Sequence, residues 1–239
     1  MSRSAFRFAS AEEKRAFTRG LFARLAPRYE LVNVVMSLGQ VNAWRRAAAA
    51  ALQPAPGGWL LDVAAGTGGV TRAVARRWPT ARVVGVDFSR PMLDIARAQR
   101  GGEGLRWAEG DALRLPFADA TFDGVVNGFM LRNVTSVEAT LAEQARVVRP
   151  GGRVVCLEMS WPRNRFFRPF FRFYFSGLVP LLGLLLTGYR QAYEYLPYSV
   201  ESFIDPDGLA ATMERVGLRQ VRYRTLMMGT VTLHVGERQ

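Results

Sequence analysis

The sequence is poor in the residues that build disulfides and metal centres. Its 239 residues include a single cysteine, Cys156, and a single histidine, His234. One cysteine cannot form a disulfide within the chain, and a cluster of cysteine and histidine ligands needs several of them. The sequence therefore predicts no internal disulfide and no metal site.

Lysine is nearly absent as well, because Lys14 is the only one. The formal net charge of +12 is therefore carried by arginines, which are scattered along the chain and not gathered in runs. Nucleic-acid-binding surfaces usually concentrate their positive charge, so we expect no nucleic acid among the partners. Attraction to an anionic membrane surface agrees better with this charge.

The apolar stretch of a signal peptide is missing near the first residue, where residues 1–4 lead into a charged run at residues 12–15. An apolar fraction of 49% with a charged fraction of 22% is typical of a packed globular protein. We therefore expect a cytoplasmic protein that is peripherally associated with the membrane. The oligomeric state is not indicated, and a homodimer stays open.

The longest uncharged apolar run covers only 17 residues, 173–189, and contains Pro180. It follows a segment rich in aromatic residues, at 166–175. A run of this length is at the lower limit for a membrane-spanning helix. Three interpretations stay open: a buried lid helix over an apolar pocket, a helix lying in the headgroup region between flanking arginines, and a membrane span.

From residue 57 onwards, apolar strands alternate with helices. Alternation of this kind indicates right-handed crossovers and a parallel sheet with helices on both faces. The predicted strands are residues 59–63, 82–87, 105–109, 122–127 and 153–158, and the predicted helices are residues 70–77, 91–100 and 137–148.

The two ends of the chain differ from this central part. Helices are predicted at residues 11–26 and 44–52 before it, and at residues 206–216 after it. Two strand-like runs follow, at residues 219–225 and 230–235. A short Met-Met-Gly turn joins them, so we predict an antiparallel pair at the sheet edge.

The first predicted strand runs into a glycine-rich turn that contains Gly66 and Gly68. The next strand ends at Asp87, about 20 residues further along. Glycines let the backbone approach a ligand, and an acid at that distance can accept hydrogen bonds from ribose hydroxyls. Together they predict binding of a nucleoside-bearing cofactor.

Two classes of cofactor use such a site, and the residues around the loop favour one of them. A dinucleotide site expects glycine where Thr71 stands. Asp62, before the loop, would repel a pyrophosphate but suits the ammonium and sulfonium groups of S-adenosylmethionine (SAM). Asp111 follows the third strand and can accept from the adenine amino group. The sequence therefore predicts SAM, although Asp62 or Asp111 could instead cap a helix or turn.

Several further segments are more specific than the glycine loop, above all Leu-Arg-Asn-Val at residues 131–134 and Tyr-Glu-Tyr-Leu-Pro at residues 193–197. With residues 26–33, 44–46 and 229–234, they make the chain resemble the ubiquinone/menaquinone biosynthesis C-methyltransferases over nearly its whole length. The resemblance implies an α/β, Rossmann-like class I methyltransferase fold. It also implies a seven-stranded, mostly parallel sheet with an antiparallel last strand, N-terminal helices and an apolar helical insertion after strand five.

The resemblance implies one methyltransferase domain over residues 1–239. Its expected parts are an N-terminal helical cap at 1–56, a SAM-binding core at 57–160, an apolar lid or substrate insertion at 161–205, and a C-terminal helix with strands at 206–239.

Carried over by position, the resemblance also implies cofactor contacts. Gly128 stands where relatives often have serine, so only its backbone can contribute there. With the residues of the loop, the expected cofactor-binding residues are Asp62, Gly66, Thr67, Gly68, Asp87, Asp111, Ala112 and Gly128.

The implied reaction is transfer of the SAM methyl group to a ring carbon of a prenylated quinol, with demethylmenaquinol as the expected acceptor. Ionising a ring hydroxyl would activate the neighbouring carbon, so a cation and a proton relay would help. We expect Arg132 to stabilise the phenolate and Asn133 to orient the hydroxyl, with Tyr29 or His234 relaying a proton. His234 alternates with apolar residues in the last strand, so a structural role is its alternative.

The chain departs from the family pattern where the acceptor pocket would be shaped, at residues 41–42, Tyr198 and Met228. Three other functions therefore stay open: methylation of another apolar small molecule or lipid, a SAM-binding scaffold without turnover, and an oxidoreductase.

Overall fold

A seven-stranded sheet forms the centre of the fold. The computed structural model describes residues 6–239, and residues 1–5, which begin the expected helical cap, lie outside the described residues. The strands are β1 (Trp59–Val63), β2 (Arg82–Asp87), β3 (Arg106–Glu109), β4 (Phe122–Gly128), β5 (Val148–Met159), β6 (Leu218–Leu226) and β7 (Val231–Arg238).

Strands β1 to β5 are parallel, as the alternation of strands and helices predicts. The order across the sheet is β3-β2-β1-β4-β5-β7-β6. From β1 the chain adds β2 and β3 on one side of β1, then crosses back and adds β4 and β5 on the other side. The strand order therefore reverses between β1 and β4. In open parallel sheets, a crevice for ligands opens at such a reversal.

Strand β5 is longer than the predicted residues 153–158. Val148 already pairs with Phe122, and the pairing resumes between Gly124 and Arg153 after a shift in register. Residues 149–152, which separate the predicted helix at 137–148 from the predicted strand at 153–158, therefore form a bulge inside β5. A bulge lets one strand carry extra residues without losing its pairing.

The last strand is antiparallel to both of its neighbours, β5 and β6, which confirms the antiparallel pair predicted from the Met-Met-Gly turn. Strand β7 lies between β5 and β6, and β6 is the outermost strand. The 12 residues of β5 provide seven partners for β7, from Arg153 to Met159.

Helices cover both faces of the sheet. Apolar side chains of α3 and α4 pack on one face with Leu60 and Val126, and those of α6 and α10 pack on the other with Leu61 and Val125. The six predicted helices are all present, with ends shifted by up to three residues. They are α1 (Ala11–Leu25), α3 (Val41–Ala51), α4 (Gly69–Arg77), α5 (Arg90–Ala98), α6 (Val137–Val147) and α10 (Pro206–Arg215). A further helix, α2 (Tyr29–Met36), lies between α1 and α3.

The segment after β5 is helical and packs on the N-terminal helices. It contains α7 (Arg168–Phe173), a π-helical turn (Tyr174–Leu178), α8 (Val179–Thr187) and α9 (Arg190–Glu201). Tyr193 and Tyr195 of α9 are buried against Leu21 and Leu25 of α1. The described residues include one helical segment, Arg168–Thr187, that is long and apolar enough to cross a membrane, with a mean hydropathy of 1.6.

Candidate active site

A cavity of about 830 Å³, mouth included, lies at the carboxyl ends of β1, β2 and β4, where the strand order reverses. Loops that leave parallel strands on opposite faces diverge at this point and leave room for a ligand. The wall brings together seven of the predicted site residues: Tyr29, Gly66, Asp87, Asp111, Ala112, Gly128 and Asn133.

The loop after β1 turns sharply, because Ala64, Gly66 and Gly68 have positive φ angles of 57°, 56° and 80°. Gly68 is the N-cap of α4, and a Cβ atom there would lie 2.6 Å from the Trp107 ring. Glycine is therefore required at Gly68 for both conformation and space. The Gly66 N–H donates to Asp87 Oδ2 at 2.8 Å, which ties the loop to β2.

Asp87 is fixed at the cavity wall by the backbone. Its Oδ2 accepts from the Gly66 N–H and its Oδ1 from the Ser89 N–H, both at 2.8 Å. Each carboxylate oxygen keeps a further lone pair, so ribose hydroxyls can still be bound. Burial raises the pKa of Asp87 to about 6, against the effect of these hydrogen bonds.

Asp111 also lines the cavity, but it already has a partner. Its carboxylate forms an ion pair with Arg15 of α1, and its Oδ1 accepts from the Leu113 N–H at 3.0 Å. Arg15, which the sequence analysis did not predict, therefore stands beside the expected adenine site. Any amino group that binds Asp111 shares the carboxylate with this guanidinium.

Helix α1 closes the outer side of the cavity. Arg15, Thr18 and Phe22 of this helix are part of the wall. Lys14 donates from Nζ to the Val134 carbonyl at 2.6 Å and to the Arg132 carbonyl at 3.4 Å, on the turn after β4. The single lysine thus fastens the N-terminal helices to the end of the sheet where the cavity lies.

Asp62 does not belong to the cavity wall. It is 1% exposed, and its Oδ2 accepts from the Thr71 hydroxyl at 2.6 Å. Burial raises the pKa of Asp62 to about 7, against that hydrogen bond. Asp62 thus joins β1 to α4 beneath the loop, its buried Oδ1 has no hydrogen-bond partner among the described residues, and its contact with the charged groups of SAM stays a prediction.

Thr67 and Gly68 also lie outside the wall, and Thr67 shows why. Its hydroxyl donates to Glu30 Oε1 at 2.6 Å, away from the cavity. Glu30 receives two further bonds from Arg45, at 2.7 and 3.0 Å. Burial alone would raise the pKa of Glu30, but Arg45 and Thr67 lower it below its ordinary value. We call Glu30, Arg45 and Thr67 the loop clamp.

The loop clamp links the N-terminal helices to the glycine loop. Glu30 lies in α2, Arg45 in α3 and Thr67 in the loop. A Cβ atom at Gly69 would lie 2.4 Å from Arg45 Cζ, so the guanidinium is packed directly against the start of α4. No periodicity or spacing in the sequence signals these long-range contacts, although Glu30 and Arg45 lie in segments typical of the family.

Replacing Glu30 with glutamine is expected to raise the KM for SAM about tenfold and to change kcat less than about twofold. The buried Arg45 loses its counter-charge, so the loop is held less firmly in its binding conformation. Steady-state kinetics with varied SAM measures this. Asp94→Asn, which removes an exposed ion pair with Arg90 and Arg97, is the matched control and should leave KM unchanged. An unaltered KM in Glu30→Gln would contradict the clamp.

Arg132 lies behind the cavity wall. Its Nη1 donates to the Phe129 carbonyl at 2.7 Å and to both oxygens of Glu158 at 3.0 and 3.2 Å. The side chains of Arg132 and Glu158 are 8% and 0% exposed. Burial raises the pKa of Glu158 to about 7, against the charge of Arg132. The pair keeps a positive charge close to the acceptor side of the cavity.

Asn133 and Tyr29 reach the wall itself. Asn133 Nδ2 donates to the Phe129 carbonyl at 3.2 Å, which leaves its Oδ1 for a ligand. Burial raises the pKa of the Tyr29 hydroxyl, and the charge of Arg132 opposes the rise. Tyr29 therefore stays protonated at neutral pH and can donate a hydrogen bond.

His234 does not reach the cavity. It is fully buried in β7, its Nε2 lies 2.9 Å from the Pro206 carbonyl, and its ring stacks on Tyr223. Burial lowers its pKa, so it is neutral at neutral pH. His234 therefore fits the structural role that the sequence analysis kept as its alternative, and it does not line the cavity from which an acceptor would exchange protons.

Most of the rest of the wall is apolar. Apart from Val134 of the Leu-Arg-Asn-Val segment, these residues give no motif, because each is an ordinary apolar side chain at a strand end or helix face. The wall contains Phe22, Val63, Val86, Phe88, Met92, Leu113, Phe129, Met130 and Val134. The cavity therefore combines a few fixed polar groups with a surface suited to aromatic rings.

Comparison with known proteins relates this site to a family. A protein-family model, that of the ubiE/COQ5 methyltransferases, matches residues 9–238. The chain belongs to this family. Membership in the ubiE/COQ5 methyltransferase family confirms the predicted enzyme class, a SAM-dependent methyltransferase.

Several relatives match the chain over most of its length. The demethylmenaquinone methyltransferase of Deinococcus radiodurans is 45% identical over 95% of this chain and 95% of its own. That of Thermus thermophilus is 45% identical over 91% of this chain and 100% of its own. The ubiquinone/menaquinone biosynthesis C-methyltransferase UbiE of Desulfotalea psychrophila is 41% identical over 90% and 88%.

Solved structures confirm the predicted class I methyltransferase fold. A SAM-dependent methyltransferase of Thermotoga maritima matches with a TM-score of 0.63 at 18% identity, over 92% of this chain and 99% of its own. The [4+2]-cyclase SpnF matches with a TM-score of 0.62 at 16% identity, over 82% and 81%. Likeness at this level of identity shows the fold, and function has to be argued from the site.

The cavity of this ubiE/COQ5 family member fits SAM. The fixed carboxylate of Asp87 has lone pairs left for the ribose, and Asp111 stands where the third strand ends. Phe88, Met92 and Leu113 offer an apolar surface for an adenine ring. A Cβ atom at Gly128 would lie 3.0 Å from Val70 Cγ2, so only a small residue leaves this side of the cavity open.

Proposed function

We propose that the chain transfers the methyl group of SAM to a ring carbon of a prenylated quinol, converting demethylmenaquinol to menaquinol. The observation that carries the proposal is one cavity whose wall contains the carboxylate of Asp87, the polar side chains of Tyr29 and Asn133, and many apolar residues. Relatives named demethylmenaquinone methyltransferase, 45% identical over nearly the whole chain, support this choice of acceptor.

SAM, when bound, supplies a methyl group that is already electrophilic because it sits on a sulfonium. The chain therefore needs to position the acceptor carbon and keep water out, which can account for a large part of the rate. The carboxylate of Asp87 holds the cofactor at the end of β2. The apolar wall around Phe129 and Met130 receives the quinol ring, and helix α1 covers the mouth.

The polar groups on the acceptor side favour an ionised ring hydroxyl. Tyr29 donates to the developing phenolate oxygen, and Asn133 Oδ1 accepts from the second hydroxyl. Arg132 acts from behind the wall, because its Nη1 is committed to Glu158 and to the Phe129 carbonyl. Its charge favours negative charge on the acceptor without touching it, so Arg132 is a positioning and electrostatic residue.

The insertion provides the route for the prenyl tail. Its helix α8 packs on α2, where Tyr29 lies: Leu186 belongs to the same apolar cluster as Tyr29, and Arg28 donates to the Leu186 carbonyl. In this arrangement, the described residues 6–56 cap the cofactor core at 57–160, and residues 161–205 face a membrane that holds the acceptor. We propose a cytoplasmic enzyme that contacts this membrane peripherally.

Methyl transfer from labelled SAM to short-tailed demethylmenaquinol, kept reduced in detergent, tests the proposed reaction. We expect labelled menaquinol, identified by mass spectrometry, with the new methyl group on the ring carbon. Menaquinol is the matched control acceptor, because its ring carbon already carries the methyl group. Label in neither quinol, with SAM bound, would exclude the proposed acceptor and point to another apolar compound. Demethylated benzoquinol in a parallel reaction distinguishes the head groups.

A further inference from the structure

The outer side of the insertion is unusually apolar for a surface. Only 22% of the apolar window in Arg168–Thr187 is buried. Phe166, Phe170 and Phe173 are 75%, 73% and 79% exposed, and Leu181 and Leu185 are exposed as well. We call these five residues the insertion face. Contiguous exposed apolar groups of this kind mark an interaction site.

The insertion face belongs to a well-anchored segment. Phe171 and Phe175 stack on each other at 5.0 Å between ring centroids and are buried. The Tyr174 hydroxyl donates to the Met36 carbonyl at 2.9 Å. A Cβ atom at Gly183 would lie 2.1 Å from the Tyr193 ring, so α8 rests directly on α9. The inner side is thus packed on protein, and only the outer side lacks a partner.

Positive charge borders the insertion face, and only part of it is paired with acids: Arg190, for example, pairs with Glu194 at 2.6 Å. Residues 159–193 contain five arginines and no aspartate or glutamate. Arg163 is paired with Asp207 of α10, and Arg165 lies over the Phe166 ring. Arg168 and Arg172 form no ion pair with any of the described residues. They stand four residues apart on α7, an arrangement in which like charges repel and which an external anion would relieve.

Arg168 and Arg172 also line a groove beside the insertion face. The groove runs between the end of β5 and the junction of α9 with α10, and Trp161 and Pro169 form part of its wall. Two carboxylates, Glu201 and Asp205, also line it, and Asp205 lies 3.6 Å from Arg163. With Arg163 paired in this way, Arg168 and Arg172 beside an aromatic side chain suit a ligand with an anionic head and an apolar body. A phospholipid has this form.

A second copy of the chain could also cover the insertion face, but the charge pattern argues against such a dimer. A two-fold dimer brings the same patch of both copies together. That patch carries Arg163, Arg165, Arg168 and Arg172 against only Glu201 and Asp205 in the groove wall, so two copies would bring together an excess of guanidinium groups. A bilayer span is also disfavoured, because the inner side of Arg168–Thr187 is occupied by α9 and α2. An anionic lipid surface can bury the exposed apolar side chains and also pair with Arg168 and Arg172.

We propose that the insertion face docks on an anionic phospholipid bilayer, with its aromatic rings at headgroup depth and Arg168 and Arg172 on lipid phosphates. The inference deepens the proposed function, since it names the surface through which a membrane-held acceptor would be reached. It does not require that the acceptor be a quinol, because lipid binding is measured without one.

Co-sedimentation with vesicles tests the docking surface. We expect the full chain to bind vesicles of phosphatidylcholine mixed with phosphatidylglycerol, and to bind phosphatidylcholine alone at least about tenfold more weakly. The double variant R168Q/R172Q should lose about tenfold or more in affinity for the anionic vesicles. R222Q/R224Q on the edge strand β6 removes the same charge from exposed arginines and should bind like the wild type.

The apolar part of the surface has its own variant, F170S/F173S, which should lose binding to both kinds of vesicle. The midpoint of thermal unfolding should stay within about 3 °C of wild type in every variant, which shows that each one is folded. Equal binding of R168Q/R172Q and R222Q/R224Q, or equal binding to both kinds of vesicle, would overturn the proposal. A dimer in gel filtration that F170S/F173S dissociates would overturn it in favour of a second copy. Loss of methyl transfer in the wild type would instead count against the proposed function alone.

Discussion

Glu158→Ala is expected to lower the free energy of unfolding by about 3–5 kcal/mol. The substitution leaves Arg132 buried with no counter-charge, and a lone buried charge is costly. The pair is enclosed, because Glu158 is 0% exposed and Arg132 is 8% exposed. Denaturant unfolding at about pH 8, where Glu158 with its pKa of about 7 is largely ionised, measures the loss.

The double variant R132L/E158L separates stability from catalysis. Replacing both members of a buried ion pair by apolar side chains is often neutral or stabilising, so most of the lost stability should return. Methyl transfer should stay at least about tenfold below wild type, since the charge behind the acceptor wall is gone. If Glu158→Ala costs less than about 1 kcal/mol, the pair is not as enclosed as the structure has it. If the double variant regains full turnover, Arg132 has no electrostatic role.

The architecture could be predicted from the sequence because its signals are local. Strands β1 and β2 are short apolar runs that end at a glycine loop and an acid, and both were predicted with the bounds observed. The start of β5 could not be predicted, because residues 149–152 carry turn residues and still lie within a strand. Whether turn residues form a bulge depends on the neighbouring strand, here on the pairing of Phe122 with Val148.

The site was predictable where position along a strand decides it. Asp87 and Gly128 end parallel strands, so they had to meet at one edge of the sheet. Asp62 shows the limit of this rule. Asp62 pairs with Gly85 and so shares a face of the sheet with Asp87, but it stands one residue before the end of β1. Its Oδ2 accepts from the Thr71 hydroxyl of α4, so the carboxylate lies beneath the loop and outside the cavity wall.

For His234, the strand alternation agrees with the structural alternative. Its neighbours Leu233 and Val235 face the cluster of α3 and α4, so His234 points to the opposite face, towards Pro206. Alternation within β7 predicts this orientation once the sheet order is known. The order itself depends on β7 entering between β5 and β6, which no local pattern indicates.

The loop clamp and the Arg15–Asp111 pair could not be predicted at all. Glu30 and Thr67 are 37 residues apart, and they meet only because α2 is laid over the glycine loop. Charged side chains in helices are ordinarily solvated, so nothing distinguishes Glu30 or Arg15 from their neighbours in the sequence. Contacts between the N-terminal helices and the sheet need the tertiary structure.

Asp87→Ala is expected to raise the Kd for SAM about 100-fold. A carboxylate that accepts from ribose hydroxyls contributes about 1.5–3 kcal/mol per hydrogen bond, and the variant also frees the Gly66 N–H that holds the loop. Isothermal titration measures the change. Glu109→Ala is the matched control, because Glu109 ends β3 directly beside Asp87 in the sheet but is exposed and lies outside the cavity wall. Equal Kd values for the two variants would remove Asp87 from the cofactor site.

The same carboxylate should set the pH dependence of SAM binding. Burial raises the pKa of Asp87 to about 6 from 3.8, so the unfolded chain ionises first as the pH rises, and the unliganded protein loses stability across that interval. Ribose hydroxyls favour the ionised form, so the Kd should be constant above about pH 7 and rise by up to about tenfold per pH unit below 6. Asp87→Ala should show a flat profile from about pH 5 to 8. A slope that persists in the variant would assign the titration to Asp62, whose buried carboxyl beneath the loop has a pKa of about 7.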